Sequence, residues 1–258
     1  MENWRNPTYM NRFTNQYNLP LPLYQAVCND PYNPKSDVTV TQLLKPVQAW
    51  VLEKRHKEEI SEDASDRLWA TYGQLMSLLL ERGVKGSEEL SKRYVTEQRC
   101  TAIVEGWTVS GAFDLFDNHE EELSDWKFVG AYKAKLALKG DHMEWTRQLN
   151  MLRYLYNSEQ KKLAKSLKIY CIVRDFTERV EKEGIKPVEI ITIPVHPLDQ
   201  TEIWMRGRVL EFRNALELSD GELPHCSEED TWQERRCRRY CAASGHCVQW
   251  RGVEWLPK

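Results

Sequence analysis

Apolar residues recur along this chain with two periods, and the switches between them mark out its elements. Over about 43–57, Leu44, Val47 and Val51 keep helical spacing behind a cap offered by Asp37 to Thr41. Over about 65–81, Leu68, Trp69, Tyr72, Leu75, Met76 and Leu79 form a wide apolar helical face, which Gly83 and Gly86 end. The pattern then becomes β-branched over 94–104, turns at Glu105-Gly106-Trp107 and continues as two strand-like arms, 109–116 and 123–129, joined by the polar stretch 118–122. Residues 141–166 read as one amphipathic helix with Trp145, Leu149, Leu152, Leu155 and Tyr156 on its apolar side. Two short β-prone runs, 168–173 and 188–193, flank a charged stretch, and 201–218 is a closing helix. This order of helices, three-strand meander, helix, two strands and helix predicts an α+β (mixed α/β) fold with a central mixed sheet flanked by helices.

Both ends of the chain differ in kind from this middle. Residues 1–36, rich in Asn, Pro and Tyr, read as an arm, 37–220 as the core, and 221–258 as a cysteine-rich tail with little aliphatic material of its own. With 258 residues, 41% hydrophobic and 29% charged, the core has ample material to bury. No apolar run reaches membrane-spanning length and the first residues do not resemble a signal peptide, so a cytoplasmic protein without a membrane partner is expected. Seven cysteines in that setting point to thiols or metal ligands rather than disulfides. Cys100 and Cys171 fall in β-prone runs, as small core residues do.

The net charge of −3 conceals an asymmetry. Between Asp125 and Arg174 the sequence holds eleven Lys or Arg against four Asp or Glu, a candidate phosphate-binding surface. Just ahead of it lies the densest chemistry. On a strand Asp125 and Lys127 share a face and Trp126 points the other way, and pairing of the two arms brings Asp114 beside them. Phe113, Leu115, Trp126 and Phe128 flank these charges and desolvate them, and buried charge is tolerated when it is paired or metal-bound. Two carboxylates and an ammonium at one place suit a hard, oxygen-ligated Mg²⁺ or Mn²⁺ and the activation of a water.

In the tail, Cys226, Cys237, Cys241 and Cys247 are spaced C-x10-C-x3-C-x5-C. Four thiolates there supply through a metal the stability that a missing core does not. Tetrahedral Zn²⁺ and an iron–sulfur cluster both fit, and ligand count does not separate them. His225 and His246 flank the cysteines and either can replace one ligand; the histidines show no metal-binding spacing among themselves. No glycine-rich nucleotide loop is present, so ATP hydrolysis is not expected.

Gly111-Ala112-Phe113-Asp114, Asp125-Trp126-Lys127 and Gln148-Leu149-Asn150, followed by the cysteine tail and preceded by the helical stretch 68–81, together resemble the PD-(D/E)XK nuclease superfamily, most closely its RecB-like, phage-type exonuclease branch. The resemblance runs from about Val38 to Cys247. It implies a restriction-endonuclease-like core with a cysteine-rich appendage and a Mg²⁺- or Mn²⁺-dependent deoxyribonuclease acting on DNA ends in phage or mobile-element processing. Asp114, Asp125 and the carbonyl of Trp126 would hold the ion, Lys127 would orient the attacking water, and Gln148 would help position metal or DNA. It also implies a [4Fe-4S] cluster on the four tail cysteines, with structural Zn²⁺ as the alternative, and a homo-oligomer or a recombination or repair protein as partner. Two positions depart from the branch's pattern: Ser77 stands where it places a metal-binding histidine, with Glu81 one turn on, and Leu152 where it tends to carry a tyrosine. These departures motivate a second expectation, a catalytically weakened nuclease-fold protein that binds DNA or another protein.

Overall fold

Glu105 and Gly106 both take left-handed backbone, with φ of 48° and 80°, forming a two-residue turn whose twist suits two antiparallel strands. That turn sets the register of the longest ladder in the protein, Val104↔Trp107 through Tyr94↔Asp117. In this computed structural model, residues 13–29 and 34–250 are described, with backbone alone at 69 and 70. The strands in chain order are β1 (Phe13–Thr14), β2 (Val38–Thr39), β3 (Glu62–Asp63), β4 (Tyr94–Val104), β5 (Trp107–Asp117), β6 (Glu122–Val129), β7 (Ser166–Val173) and β8 (Val188–Ile193). The helices are α1 (Leu21–Cys28), α2 (Val40–Leu43), α3 (Val47–Arg55), α4 (Leu68–Lys85), α5 (Glu88–Arg93), α6 (Ala131–Leu138), α7 (Met143–Gln160), α8 (Glu178–Lys182), α9 (Leu198–Leu216), α10 (Glu228–Thr231) and α11 (Arg235–Arg239).

The chain divides into two units, each assembled from segments apart in sequence. One comprises 34–44 and 70–207, and the other 1–33, 45–69 and 208–258. The first unit is the mixed α+β body. Its six-stranded sheet combines parallel pairs, β2 with β5 and β6 with β7, and antiparallel pairs, β4 with β5, β5 with β6 and β7 with β8. Since β4 covers one edge of β5 along its whole length, β2 and β6 must share the other edge. Helix α7 buries Leu149, Leu152, Leu155 and Tyr156 against β4 and β5. Packing there is so close that a Cβ on Gly111 would meet Leu152 Cδ2 at 2.5 Å and Val40 Cγ2 at 2.9 Å. Leu152 is thus a core residue that fixes the helix on the strand. A second cluster, Ala134, Val173 and Ile185, seats α6. The sequence pattern passes over α6 because its buried positions are alanines, which carry little hydrophobic contrast among lysines.

In the second unit, β1 and β3 pair in parallel and the cluster of Phe13, Val27, Cys28 and Ala64 packs around them. The stretch expected to be an irregular arm therefore contributes a helix, α1, with Pro22 in its first turn where a missing N–H is harmless; residues 1–12 and 30–33 of that expected arm lie outside the described residues. The helix expected over 43–57 divides into α2 and α3 at Pro46. Arg55 gathers the C-terminal end of α9, donating to the carbonyl oxygens of Leu216 and Leu218 and to Asp220. Trp50 packs on Phe212 with ring centroids 4.6 Å apart.

Candidate functional site

Three acids line up across the sheet where it forks. Pairing of Thr96 with Leu115 and of Gln98 with Phe113 sets Glu97 opposite Asp114, and pairing of Leu115 with Ser124 sets Asp114 opposite Asp125. The β4–β5 ladder skips this row and the β5–β6 ladder ends just before it. Glu97 has left-handed backbone, φ 50°, inside a strand; such a residue costs on the order of 1–3 kcal/mol and is held by its surroundings. On the other edge of β5, β6 departs after Leu115 while β2 pairs only at Val109 and Ser110, leaving 111–114 without a strand partner there. The alternation of β5 also changes phase here. Phe113 and Phe116, three residues apart, both pack on Tyr156, at 5.2 and 4.6 Å between centroids, so the strand rotates between them and re-aims Asp114.

The charges around the fork hold one another. Asp125 is 4% exposed, and Lys127 Nζ lies 2.6 Å from its Oδ2. Asp114 Oδ2 accepts the backbone N–H of Trp126 at 2.7 Å, while the Trp126 ring turns to the other face and stacks on Tyr170. Burial, reinforced by the charge of Asp125, raises the Asp114 carboxyl well above the usual carboxylate range against the pull of that N–H. Burial also opposes charge on Lys127, but its interaction with Asp125 outweighs it and the amine is raised, so Lys127 is an ammonium at neutral pH. Partial desolvation raises Glu97 too, with Glu81 and Asp125 adding repulsion, while the Ser77 hydroxyl bonds its carboxylate and opposes the rise. Carboxylates crowded together with one cation among them suit an oxygen-ligated divalent ion, which would replace their mutual repulsion by attraction.

The expected residues fall into place unequally. Asp114, Asp125 and Lys127 come together, and Trp126 joins through its backbone. Gln148 lies partly exposed on α7, one turn beyond Glu144, whose charge reaches Lys127. Ser77 reaches the site through Glu97. Glu81 faces it as well, while paired with Lys85. Glu97 was missed from the sequence, although the register of the Glu105-Gly106 turn, counted back along β4, already places it opposite Asp114. Lys127, Lys135, Lys165 and Lys168 are paired with acids, and Arg153 is buried, donating to the carbonyl oxygens of Ala164 and His196.

In the other unit the four tail cysteines line a single cavity of about 470 Å³ together with Gln48, Ala49 and Leu52 of α3. Burial pushes the thiols of Cys226 and Cys241 up to about 12 and about 11, so they stay protonated unless a metal displaces the protons. Gln48 Oε1 lies 3.5 Å from Cys226 Sγ and 3.6 Å from Cys247 Sγ, while its Nε2 is buried without a hydrogen-bond partner. Among the described residues, no three of the four sulfurs lie within 4.8 Å of one another. A tetrahedral zinc, with Zn–S of about 2.3 Å, would draw all four to about 3.8 Å. Four thiols around one cavity are a donor set that fits a metal centre. Between Cys226 and Cys237, Trp232, Gln233 and Glu234 all adopt left-handed backbone, a strained stretch. His225 and His246 are not among the cavity's lining. Contrary to the spacing argument, His246 meets His56, stacking at 4.0 Å, and their ligand atoms and that of Glu59 come within 4.8 Å. The carboxylates of Asp220 and then Glu59, which accept from its ring, raise His56 above the usual imidazole range.

No family model matches this chain, and no curated protein matches it. Among solved structures it is similar to one titled "Crystal structure of SSO0001", with a TM-score of 0.53 and 16% identity over 88% of this chain and 93% of that one. That likeness is one of fold.

Proposed function

We propose that the chain is a divalent-metal-dependent DNA nuclease of the PD-(D/E)XK kind, acting at DNA ends. The observation that carries this reading is the row of Glu97, Asp114 and Asp125 at the fork of the sheet, with Lys127 2.6 Å from Asp125. Asp114 and Asp125 are the ligands for Mg²⁺ or Mn²⁺, with the Trp126 carbonyl beside them and Glu97 as a third carboxylate. When bound, the ion supplies Lewis-acid polarisation of the scissile phosphate and a more acidic water. Lys127, held as an ammonium, aims its N–H donors at the attacking water and at the charge that grows on the phosphate. Trp126 N–H fixes one oxygen of Asp114 and leaves the other for the ion. Glu97 takes over the position for which Ser77 offers only a hydroxyl, and Ser77 positions Glu97. Gln148 contacts the DNA strand from α7.

The tail cysteines, on the same reading, hold a [4Fe-4S] cluster that staples Cys226, Cys237, Cys241 and Cys247 to α3. The test is digestion of linear and circular DNA with Mg²⁺ or Mn²⁺. Linear DNA should be degraded, and Asp125→Ala or Lys127→Ala should abolish the activity; turnover that survives both changes defeats the assignment. A second reading is favoured by one observation: Leu75, Leu78 and Leu79 on α4 are 51%, 60% and 58% exposed, an apolar face suited to a protein partner. In that reading the chain is a catalytically weakened interaction component. Calorimetry separates the two, because only an intact site binds Mn²⁺ in a manner that Asp114→Ala removes.

A further inference from the structure

We propose that Gln48 is the hydrogen-bond partner of the Cys226 and Cys247 sulfurs in the metal-loaded tail, its amide turning over when the two thiols become metal-bound thiolates. The inference rests on the cluster reading above and concerns a residue from α3, remote in sequence from the cysteines it serves. Gln48 is 1% exposed, on a helix face whose other cavity-lining members, Ala49 and Leu52, are apolar. An apolar residue would complete that wall. A glutamine there brings two acceptor positions and two N–H donors, all requiring partners at a buried position.

With thiols present, only half of that demand is met. Both S–H groups donate to Oε1, and Nε2 is left with nothing. An unmet buried N–H group of this sort costs about 1–3 kcal/mol. Metal binding changes the chemistry at the same two sulfurs. Each cysteine gives its S–H proton to solvent and becomes a thiolate with lone pairs only. Oε1 would then face two anionic sulfurs, which is repulsive. A half-turn about the last side-chain torsion exchanges the ends of the amide, and Nε2 arrives where Oε1 stood, 3.5 and 3.6 Å from Cys226 Sγ and Cys247 Sγ. Its two N–H groups then donate one bond to each sulfur. Hydrogen bonds to ligating sulfur withdraw electron density and favour the reduced state of a cluster.

The experiment uses the full chain reconstituted anaerobically with iron and sulfide, in the wild type, in Gln48→Met, which matches the length without donor or acceptor, and in Gln48→Glu, which keeps an acceptor without a donor. Iron and sulfide content, the midpoint potential from EPR-monitored titration and the melting of the metal-free protein are measured for each. All three should load equally. Both variants should have a lower midpoint potential, by at least a tenfold change in the reduced-to-oxidised ratio, about 59 mV for a one-electron couple. Metal-free Gln48→Met should melt no lower than the wild type, because it removes an unmet amide. Should one variant fold poorly, the potential of the other still decides. Loaded clusters with unshifted potentials overturn the role of Gln48 and leave the cluster reading standing, as does a metal-free Gln48→Met that is clearly destabilised. A wild-type chain that takes up zinc but no iron and sulfide overturns the cluster reading, and this inference with it.

Discussion

Replacing Asp114 with Asn should make the metal-free protein more stable while removing its capacity for the ion. Asn keeps an oxygen for the Trp126 N–H now bound at 2.7 Å, so the change removes charge and little else. Burial and the charge of Asp125 raise the Asp114 carboxyl in the folded state. A carboxyl raised on folding carries no penalty below its unfolded pKa of about 3.9 and a growing one as the pH climbs toward its folded pKa. Taking about two units of that displacement as surviving relaxation gives about 2.7 kcal/mol. At about 2–4 °C per kcal/mol for a chain of this size, that is a rise in Tm of about 5–11 °C near neutral to mildly alkaline pH. The assay is differential scanning calorimetry in a chelating buffer from about pH 4.5 to 8.5, with Mn²⁺ added in a parallel series. Wild-type stability should fall as the pH rises through this window, and that of Asp114→Asn should stay flatter. With Mn²⁺ at about 1,000 times its dissociation constant the wild type should gain about 4.1 kcal/mol and the variant nothing, reversing their order. The reasoning fails if the variant melts no higher than the wild type at pH 8 in chelator, or if its advantage is as large at the acid end.

Glu97→Gln should weaken Mn²⁺ binding about tenfold, about 1.4 kcal/mol, measured by calorimetric titration, with Ser77→Ala showing a smaller loss in the same direction; unchanged affinity in both would remove Glu97 from the site. Gly111→Ala should destabilise the protein by about 1–3 kcal/mol in urea unfolding, and Leu152→Ala in the same chain should relieve part of that loss, since the added methyl meets Leu152 first. Arg93, followed by the backbone N–H groups of His119 and Glu120, holds Asp117 at about 2. A depressed carboxyl contributes stability that is present above its unfolded pKa and lost as the pH falls toward the folded one. Acid unfolding of Arg93→Ala should therefore show a shallower loss between about pH 4 and 2.

Much of the sheet was legible before any coordinates, because its rules are local. The period-2 runs, the Glu105-Gly106 turn and the single residue between Asp125 and Lys127 determine strands, register and a shared face without reference to distant residues. The same logic marked Cys100 and Cys171 as core residues, and both are buried. Helix α1 and helix α6 escaped, the first behind prolines and the second behind alanines, because neither carries an apolar stripe strong enough to stand out.

Which remote groups complete each site follows from the packing of distant segments. The phase change of β5 at Asp114 and the left-handed turn at Glu97 arise from the fork of three strands on β5, and no single segment encodes that fork. Gln48 meets Cys226 and Cys247 from α3 because the tail, lacking a core of its own, packs on the helix that lines the same cavity. His56 meets His246 by the same packing. The carboxylates, the ammonium and the four thiols could be named from the chain alone, since chemistry resides in residue type and short spacing. It left open Glu97 and Gln48, a charged strand residue and a helical amide whose meaning lies wholly in what folding places opposite them.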